Sequence, residues 1–177
     1  MAEHTHAARA AVLTVSDGVT AGTRDDDTGA AVAQRLANDG FEVVAREVVA
    51  DERDVVAGAL SRLVGHAGLV VTNGGTGLGP RDVTPEATAD VVEMLVPGLA
   101  EAMRAAGRRH TPMADLSRGL AGAVGATLVL NLPGSPKGAG ESLDAVSQAL
   151  GHALRLLAGD THHGHGDIPG HSDGALR

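Results

Sequence analysis

The stretch "GLVVTNGGTGLGPRDVTPEA", residues 68–87, carries the succession of elements that decides the fold. It opens with a short, β-branched apolar run at 68–73, which predicts a buried strand. A glycine-rich loop follows. Thr84, Pro85 and Glu86 are then typical of a helix start, as N-cap, first helical residue and acidic first turn. The stretch therefore predicts a strand, a loop and a helix in direct succession.

The same alternation continues on both sides of this stretch. Apolar runs predict earlier strands at 10–15 and 41–50, and helical spacing predicts helices at 29–38 and from Asp51 to Gly65. Later patterns predict a helix at 97–109, two strands joined near Gly125 within 118–131, and an amphipathic helix at 141–158. We therefore expect an α/β fold with helices on both faces of a mostly parallel sheet and an antiparallel element at one edge.

Composition limits the domain count and the classes of partner. The 177 residues suffice for one domain and are few for two. We expect a flexible N-terminus at 1–8, one domain at 9–158 and a disordered His/Gly-rich tail at 159–177. The tail histidines offer ligands to a transition metal, but a solvated tail is the simpler interpretation.

Charge and residue usage exclude several functions. The net charge is −8, Phe41 is the single aromatic residue and there is no cysteine. We therefore expect no nucleic-acid partner, no disulfide and no thiolate chemistry. Neither an export signal nor an apolar run of membrane-spanning length is present, so we expect a cytoplasmic protein without a membrane partner.

Ligands of open α/β sheets gather where the strands end, so the strand exits are the candidate site. The exits read "TVSD" (14–17), "TNGGTGLGPRD" (72–82) and "NLPGSPKG" (131–138), and Asp51 follows the second strand. Glycines let backbone N–H groups approach a phosphate or a flat ring, although a glycine-rich loop can also be a flexible turn. Ser135 and Pro136 predict a helix start that suits an anion, beside Lys137, the only lysine; the alternative is a surface lysine.

Asp51 and Asp82 are the candidate carboxylates. Together with substrate phosphates they are the ligands that Mg²⁺ prefers. The alternatives are that Asp51 caps the following helix and that Asp82 pairs with the adjacent Arg81 on the surface.

Taken together, these exits resemble the MogA/MoaB family of molybdenum cofactor biosynthesis proteins, which includes the gephyrin-type G domains. The resemblance rests on "TVSDG", "TNGGTGLGPRDVTPEAT", "VPGLAEAMR", "LSRGLAG" and "TLVLNLPGSPKGAGE" and covers about residues 8–158. It implies a three-layer α/β/α sandwich that assembles as a homotrimer. It also implies a molybdopterin adenylyltransferase, which transfers AMP from Mg-ATP to the terminal phosphate of molybdopterin and releases pyrophosphate. A molybdate-insertion protein is the implied partner that uses the product.

The resemblance also implies roles for particular residues. The catalytic aspartates match Asp51 and Asp82, with Mg²⁺ as their metal. The substrate-binding positions match Thr14, Ser16, Asp17, Gly74, Gly75, Thr76, Gly77, Pro133, Gly134, Ser135 and Lys137. Where many relatives have "SDR", this chain has Gly18 after Asp17, and Arg24 is the candidate replacement for the missing arginine. This departure keeps open an alternative function, a molybdopterin-binding or interaction protein without catalysis.

Overall fold

The computed structural model describes residues 6–160, in which one six-stranded sheet is covered by helices. The strands are β1 (Arg9–Val15), β2 (Glu42–Val49), β3 (Leu69–Asn73), β4 (Met94–Leu95), β5 (Ala121–Val124) and β6 (Thr127–Leu132). The helices are α1 (Asp17–Thr20), α2 (Asp27–Asn38), α3 (Arg53–Leu63), α4 (Thr84–Ala89), α5 (Pro97–Arg108) and α6 (Pro136–Leu157). Short 3₁₀ turns occupy His6–Ala8 and Pro112–Leu116.

The sheet has the order β2-β1-β3-β6-β5-β4. Strands β2, β1, β3 and β6 run parallel, whereas β5 and β4 add an antiparallel edge. Both features of the prediction are confirmed. In the parallel part Thr14 lies beside Asn73, and Thr72 lies beside Asn131, so the exits of β1, β3 and β6 lie at one edge of the sheet.

Alternate strand residues point to opposite faces, and each face is buried under its own helices. Val12, Val71 and Leu130 pack in the core under α2, α5 and α6, and the intervening Leu13 and Val70 pack under α3. The buried side chains of both cores are almost all Val, Leu and Ala, because the chain has no other large supply of apolar residues. The result is the expected three-layer sandwich.

Several predicted boundaries differ from those observed. Residues 17–20, predicted as loop, form α1, and the two-residue β4 was not predicted. The N-cap of α3 is Glu52, so Asp51 neither opens nor caps that helix. The N-cap of α4 is Val83 rather than Thr84, whose hydroxyl instead donates to the Gly74 carbonyl at 2.8 Å. Helix α6 begins earlier than the apolar stripe, at Pro136, with Ser135 as its N-cap, as predicted for that exit.

Within residues 6–160 there is no helix of the length and apolarity needed to cross a bilayer. The predicted disorder of the tail concerns residues that, from 161 onward, lie outside the described residues, as do its four histidines. The domain limits 9–158 stay a prediction.

Candidate active site

Two adjoining cavities open at the strand exits. The larger, about 490 Å³, is lined by five aspartates and is called the carboxylate cavity below. Of the predicted site residues it gathers Thr14, Ser16, Asp51, Gly74, Gly75, Asp82, Gly134 and Ser135. The smaller, about 290 Å³, has mostly apolar walls and is called the apolar cavity. It gathers the predicted Thr76, Gly77 and Pro133, and it shares Ser135 with its neighbour.

Asp17 and Asp51 join the exits of β1 and β2. The Asp17 backbone N–H donates to Asp51 Oδ2 at 2.7 Å, and the Asp51 N–H donates to Asp17 Oδ1 at 3.0 Å. The Arg81 guanidinium donates two hydrogen bonds of 3.0 Å to the Asp17 carboxylate. Asp17 therefore binds Arg81 and lies outside both cavity linings, and Arg81 does not form the surface pair with Asp82 that was the alternative interpretation of Asp82.

The two carboxyls have opposite pKa shifts. The hydrogen bond from Arg81 holds the pKa of Asp17 below its ordinary value. Burial raises the pKa of Asp51, and the negative charges of Asp17 and Asp82 act in the same direction. A carboxyl group in a cavity whose pKa is shifted by burial and by neighbouring charges is a candidate functional group.

The loop after β3 depends on its glycines. Gly74 and Gly75 have φ angles of +95° and +63°, in the left-handed region that glycine tolerates. A β-carbon on Gly75 would lie 2.4 Å from the Thr84 hydroxyl oxygen and 3.0 Å from Asp51 Oδ1. Glycine at 75 thus lets the backbone lie directly against the candidate catalytic carboxylate.

Arg118 holds the rest of this loop, and residue-type patterns gave it no role in the site. Its side chain donates to the Gly77 and Asp82 carbonyls at 2.7 Å each, and its N–H donates to the Thr76 carbonyl at 2.8 Å. It also forms an ion pair with Glu86. Asp82 Oδ2 accepts a further bond of 2.8 Å from the Gly79 N–H. These contacts argue against a freely flexible turn.

A second hydrogen-bond network that sequence patterns did not reveal orients Thr14. Its hydroxyl accepts from Asn73 Nδ2 at 3.0 Å and donates to Asp26 Oδ1 at 2.8 Å. Asp26 also accepts from the Gly29 N–H at 3.0 Å and from Arg46 at 2.8 Å. The helix-capping position of Asp26, three residues before Gly29, was the one sequence signal for this contact.

The "LPGSPKG" exit places the start of α6 beside the cavities. Ser135 Oγ accepts from the Gly138 N–H at 3.2 Å, and Thr28 Oγ1 donates to the Gly134 carbonyl at 2.9 Å. Lys137 is not in either lining: its side chain is 77% exposed and its Nζ lies 3.8 Å from Glu141 Oε1.

The apolar cavity lies between α5, the 3₁₀ turn Pro112–Leu116 and the β6 exit. Sequence patterns did not identify most of its walls, which include Ala100, Met103, Gly107, Met113, Ala114 and Leu116. Arg104 and Glu141 add polar groups at its margin, whereas Glu101 lines neither cavity. A mostly apolar slot with a few polar groups suits a flat heterocycle.

The described residues contain no cluster of three or more His, Cys, Asp or Glu that would hold a metal by itself. Asp51 and Asp82 supply at most two carboxylates to a shared ion. That donor set fits Mg²⁺, which usually keeps waters and takes its remaining ligands from substrate phosphates.

The structure is thus an α/β sandwich with two adjoining cavities at its strand exits, one mostly apolar and one lined by carboxylates. Residues 11–152 match a family model described as "Probable molybdopterin binding domain". The chain therefore belongs to this molybdopterin-binding family of molybdenum cofactor biosynthesis proteins.

Individual relatives agree with this membership. A molybdopterin adenylyltransferase of Helicobacter pylori J99 is 39% identical, over 84% of this chain and 87% of that protein. The solved structure of the molybdopterin biosynthesis enzyme MoaB from Thermus thermophilus is 54% identical, with a TM-score of 0.80 over 85% of this chain and 96% of that chain. A molybdenum cofactor biosynthesis bifunctional protein of Synechococcus elongatus is 38% identical over 86% of this chain, which spans only 48% of that protein.

Proposed function

We propose that the chain is a molybdopterin adenylyltransferase, which transfers AMP from Mg-ATP to the terminal phosphate of molybdopterin and releases pyrophosphate. The observation that carries the proposal is the pair of cavities that meet at Ser135, one apolar and one lined by carboxylates. Such a pair suits a flat pterin whose phosphate reaches into the cavity that holds the nucleotide. The names of adenylyltransferase relatives at 35–39% identity support it.

The chemistry requires placement rather than proton transfer. An oxygen of the already ionised molybdopterin phosphate attacks the α-phosphorus of ATP, the α–β bridging P–O bond breaks, and pyrophosphate leaves with the electron pair. Because the nucleophile carries no proton to remove, the reaction is compatible with two linings to which residues 6–160 contribute no histidine. What the site must supply is in-line positioning and relief of repulsion between two anions.

Particular residues would meet these needs. Asp51 and Asp82 would hold Mg²⁺, which when bound neutralises phosphate charge and stabilises the leaving group. The backbone of Gly74 and Gly75 leaves room for phosphate oxygens beside Asp51. Ser135, at the boundary of the cavities, is placed to orient the molybdopterin phosphate at the start of the 22-residue α6.

The direct test is the product. Purified protein incubated with molybdopterin and Mg-ATP should yield adenylated molybdopterin by mass spectrometry, with an equal amount of pyrophosphate. Replacing ATP by its α,β-methylene analogue should prevent both, because the α–β link can no longer break. If the wild-type protein binds both substrates and forms no product, the proposal is wrong.

The second candidate function is a molybdopterin-binding protein without catalysis. One observation favours it: the first loop has Gly18 where an arginine is expected, and Arg24 is the single basic residue within the described part of the chain that lines the carboxylate cavity. This candidate predicts molybdopterin binding with no measurable Mg-ATP binding, with or without the pterin, in a calorimetric titration.

Assembly is also a proposal. A homotrimer, which the resemblance implies, is supported by exposed apolar residues on the edge strand β4 and the 3₁₀ turn: Met94, Leu95, Met113 and Leu116. Sedimentation equilibrium would test it, since a monomer at micromolar concentration would exclude it. One relative is a bifunctional protein of which this chain covers 48%, and this supports transfer of the product to a molybdate-insertion partner.

A further inference from the structure

The negative charge of the carboxylate cavity is unfavourable for binding a nucleotide. Residues 6–160 contribute to its lining five aspartates, namely Asp25, Asp26, Asp27, Asp51 and Asp82, and one basic residue, Arg24. Arg46 pairs with Asp26 at 2.8 Å, but the other four form no ion pair among the described residues. A triphosphate entering this cavity meets net negative charge, so a metal at Asp51 and Asp82 needs a second cation elsewhere.

Arg24 is free to be that cation. The other arginines around the cavity are committed: Arg46 to Asp26, Arg81 to Asp17, and Arg118 to the glycine-rich loop. The Arg24 side chain makes no hydrogen bond or ion pair within residues 6–160, even though three aspartates follow it directly. An exposed guanidinium in a cavity wall, without a partner, keeps its full set of donors for an anion.

Gly18 decides where this guanidinium lies. A β-carbon at position 18 would lie 2.9 Å from Arg24 Nε and 3.1 Å from Nη2, so the guanidinium rests against the bare glycine. The loop between them is closed by bonds from the Thr23 and Arg24 N–H groups to the Gly18 carbonyl, at 2.9 and 3.2 Å. The first loop thus folds back and brings an arginine from position 24 to the space over position 18.

We propose that Arg24 binds the triphosphate of the nucleotide in the carboxylate cavity, and that Gly18 is the residue that admits its guanidinium. The inference rests on the proposed function and deepens it. The triphosphate, rather than the molybdopterin phosphate, is the ligand because Arg24 lines only the carboxylate cavity, whereas the two cavities meet at Ser135.

Three variants test the proposal by calorimetric titration of Mg-ATP and Mg-pyrophosphate onto the full chain. Arg24→Gln should weaken both affinities about tenfold, the usual loss for a charge-assisted hydrogen bond, and Arg24→Lys should recover part of it. Gly18→Ala should weaken both affinities about threefold, because a β-carbon displaces the guanidinium. Its Tm should be unchanged or higher, since alanine suits the helical backbone of α1 and the group displaced is the far end of a flexible side chain.

Positions 18 and 24 should act as one unit. Gly18→Ala added to Arg24→Gln should cause no further loss, because the displaced group is already gone. Arg62→Gln is the control: Arg62 pairs with Glu47 at 3.0 Å outside both cavities, so Mg-ATP affinity should not change. Molybdopterin affinity should match wild type in all variants.

The outcomes separate the inference from the proposed function. Wild-type Mg-ATP affinity in Arg24→Gln, or an equal loss of molybdopterin affinity, overturns the assignment of Arg24. A wild-type protein with no Mg-ATP affinity overturns it as well. If the wild type binds Mg-ATP and Arg24→Gln weakens that binding, the assignment stands even if no adenylated product forms, and only the proposed catalysis then fails.

Discussion

The two cavities share Ser135, yet they are built in different ways. Around the carboxylate cavity, the polar groups at the strand exits are fixed by others: Asp51 by the Asp17 backbone, Thr14 by Asp26 and Asn73, Asp82 by Gly79. The apolar cavity is shaped by small and flexible side chains such as Ala100, Met103 and Met113. One cavity is held by directional bonds, and the other by packing.

This difference determines how each cavity responds to change. Directional bonds fix a reacting geometry to a fraction of an ångström, and a lost partner leaves a polar group unsatisfied. Packing with methionine adapts to a ligand's outline, and truncation there causes graded losses. Substitutions in the carboxylate cavity should therefore affect turnover steeply, while those in the apolar cavity should affect pterin affinity gently.

The largest effect is expected for Asp82→Asn. The amide keeps the size of the side chain and can still accept from the Gly79 N–H, but it loses the charge that would hold Mg²⁺. The kcat should fall about 10²–10³-fold, the range for loss of one preorganised charge-stabilising group. Single-turnover formation of the adenylated product measures it. Asp54→Asn, an exposed carboxylate on α3, is the matched control and should retain wild-type turnover.

Next in size is Arg118→Gln, which removes the clamp on the glycine-rich loop. It frees the Gly77 and Asp82 carbonyls and leaves Glu86 without its ion pair. The free energy of unfolding should fall by about 1–3 kcal/mol, and Arg118→Lys should not restore it, because an ammonium cannot span both carbonyls and the carboxylate. Urea denaturation measures the loss. Equal stability of the lysine variant and wild type would show that charge alone suffices.

These two predictions depend on residues and contacts that differ in how far the sequence alone could predict them. The glycines at 74 and 75 and the aspartates at 51 and 82 stood out, because strand exits and residue types are visible in sequence. The bond from Arg118 to Gly77 spans 41 positions and that from Arg46 to Asp26 spans 20, so only the fold brings these partners together. The four-residue α1 and two-residue β4 are too short for a periodic pattern to reveal.

Asp51 also shows why a helix cap and a site residue are hard to separate in sequence. The run Asp51 to Asp54 has the composition of a capped helix start, yet the cap is Glu52 and makes no side-chain bond. Asp51 turns instead toward Asp17 and the cavity. The walls of the apolar cavity were missed for another reason: alanine and methionine at helical spacing are indistinguishable from ordinary core residues.

Asp51→Asn tests whether function at this position costs stability. Because burial raises the pKa of Asp51, the folded state takes up a proton more readily than the unfolded state, where the pKa is near 3.8. Its contribution to stability is therefore greatest below that value and declines as the pH rises through the folded-state pKa. Above that pKa the asparagine variant should be more stable than wild type, by less than about 1 kcal/mol because solvent screens a partly exposed group.

Thermal unfolding of both proteins between acidic and neutral pH measures this difference. The gain in Tm should be present at neutral pH and vanish at the acid end. The lowered pKa of Asp17 makes that group lose its stabilising contribution as the pH falls in both proteins, because the bonds from Arg81 and from the Asp51 N–H remain in the variant. An asparagine variant less stable than wild type at neutral pH would mean that the carboxylate's hydrogen bonds outweigh its burial.

In the apolar cavity, Met113→Ser should show the graded response. Met113 lies on the 3₁₀ turn with 61% of its surface exposed, so its removal leaves no buried void in the free protein. Molybdopterin affinity should fall about three- to tenfold from lost apolar contact, while Mg-ATP affinity stays at the wild-type value. Fluorescence titration of the pterin measures the first and calorimetry the second. A loss of turnover at saturating molybdopterin would contradict the division between the cavities.

The smallest effect is expected for Lys137→Ala, which tests the boundary between the two cavities. The sequence singled out this lysine as a phosphate ligand, but its ammonium is in solvent, 3.8 Å from Glu141, and lines neither cavity. A flexible four-carbon stem can still follow a phosphate bound near Ser135, and a solvated ammonium contributes little to such a contact. We therefore expect molybdopterin affinity to fall about twofold to fivefold with kcat unchanged, and the loss to disappear at high salt because exposed charges are screened. Lys137→Arg should retain the affinity. If kcat fell as far as in Asp82→Asn, the ammonium would have to move into the carboxylate cavity during the reaction, and the division of roles at Ser135 would be wrong.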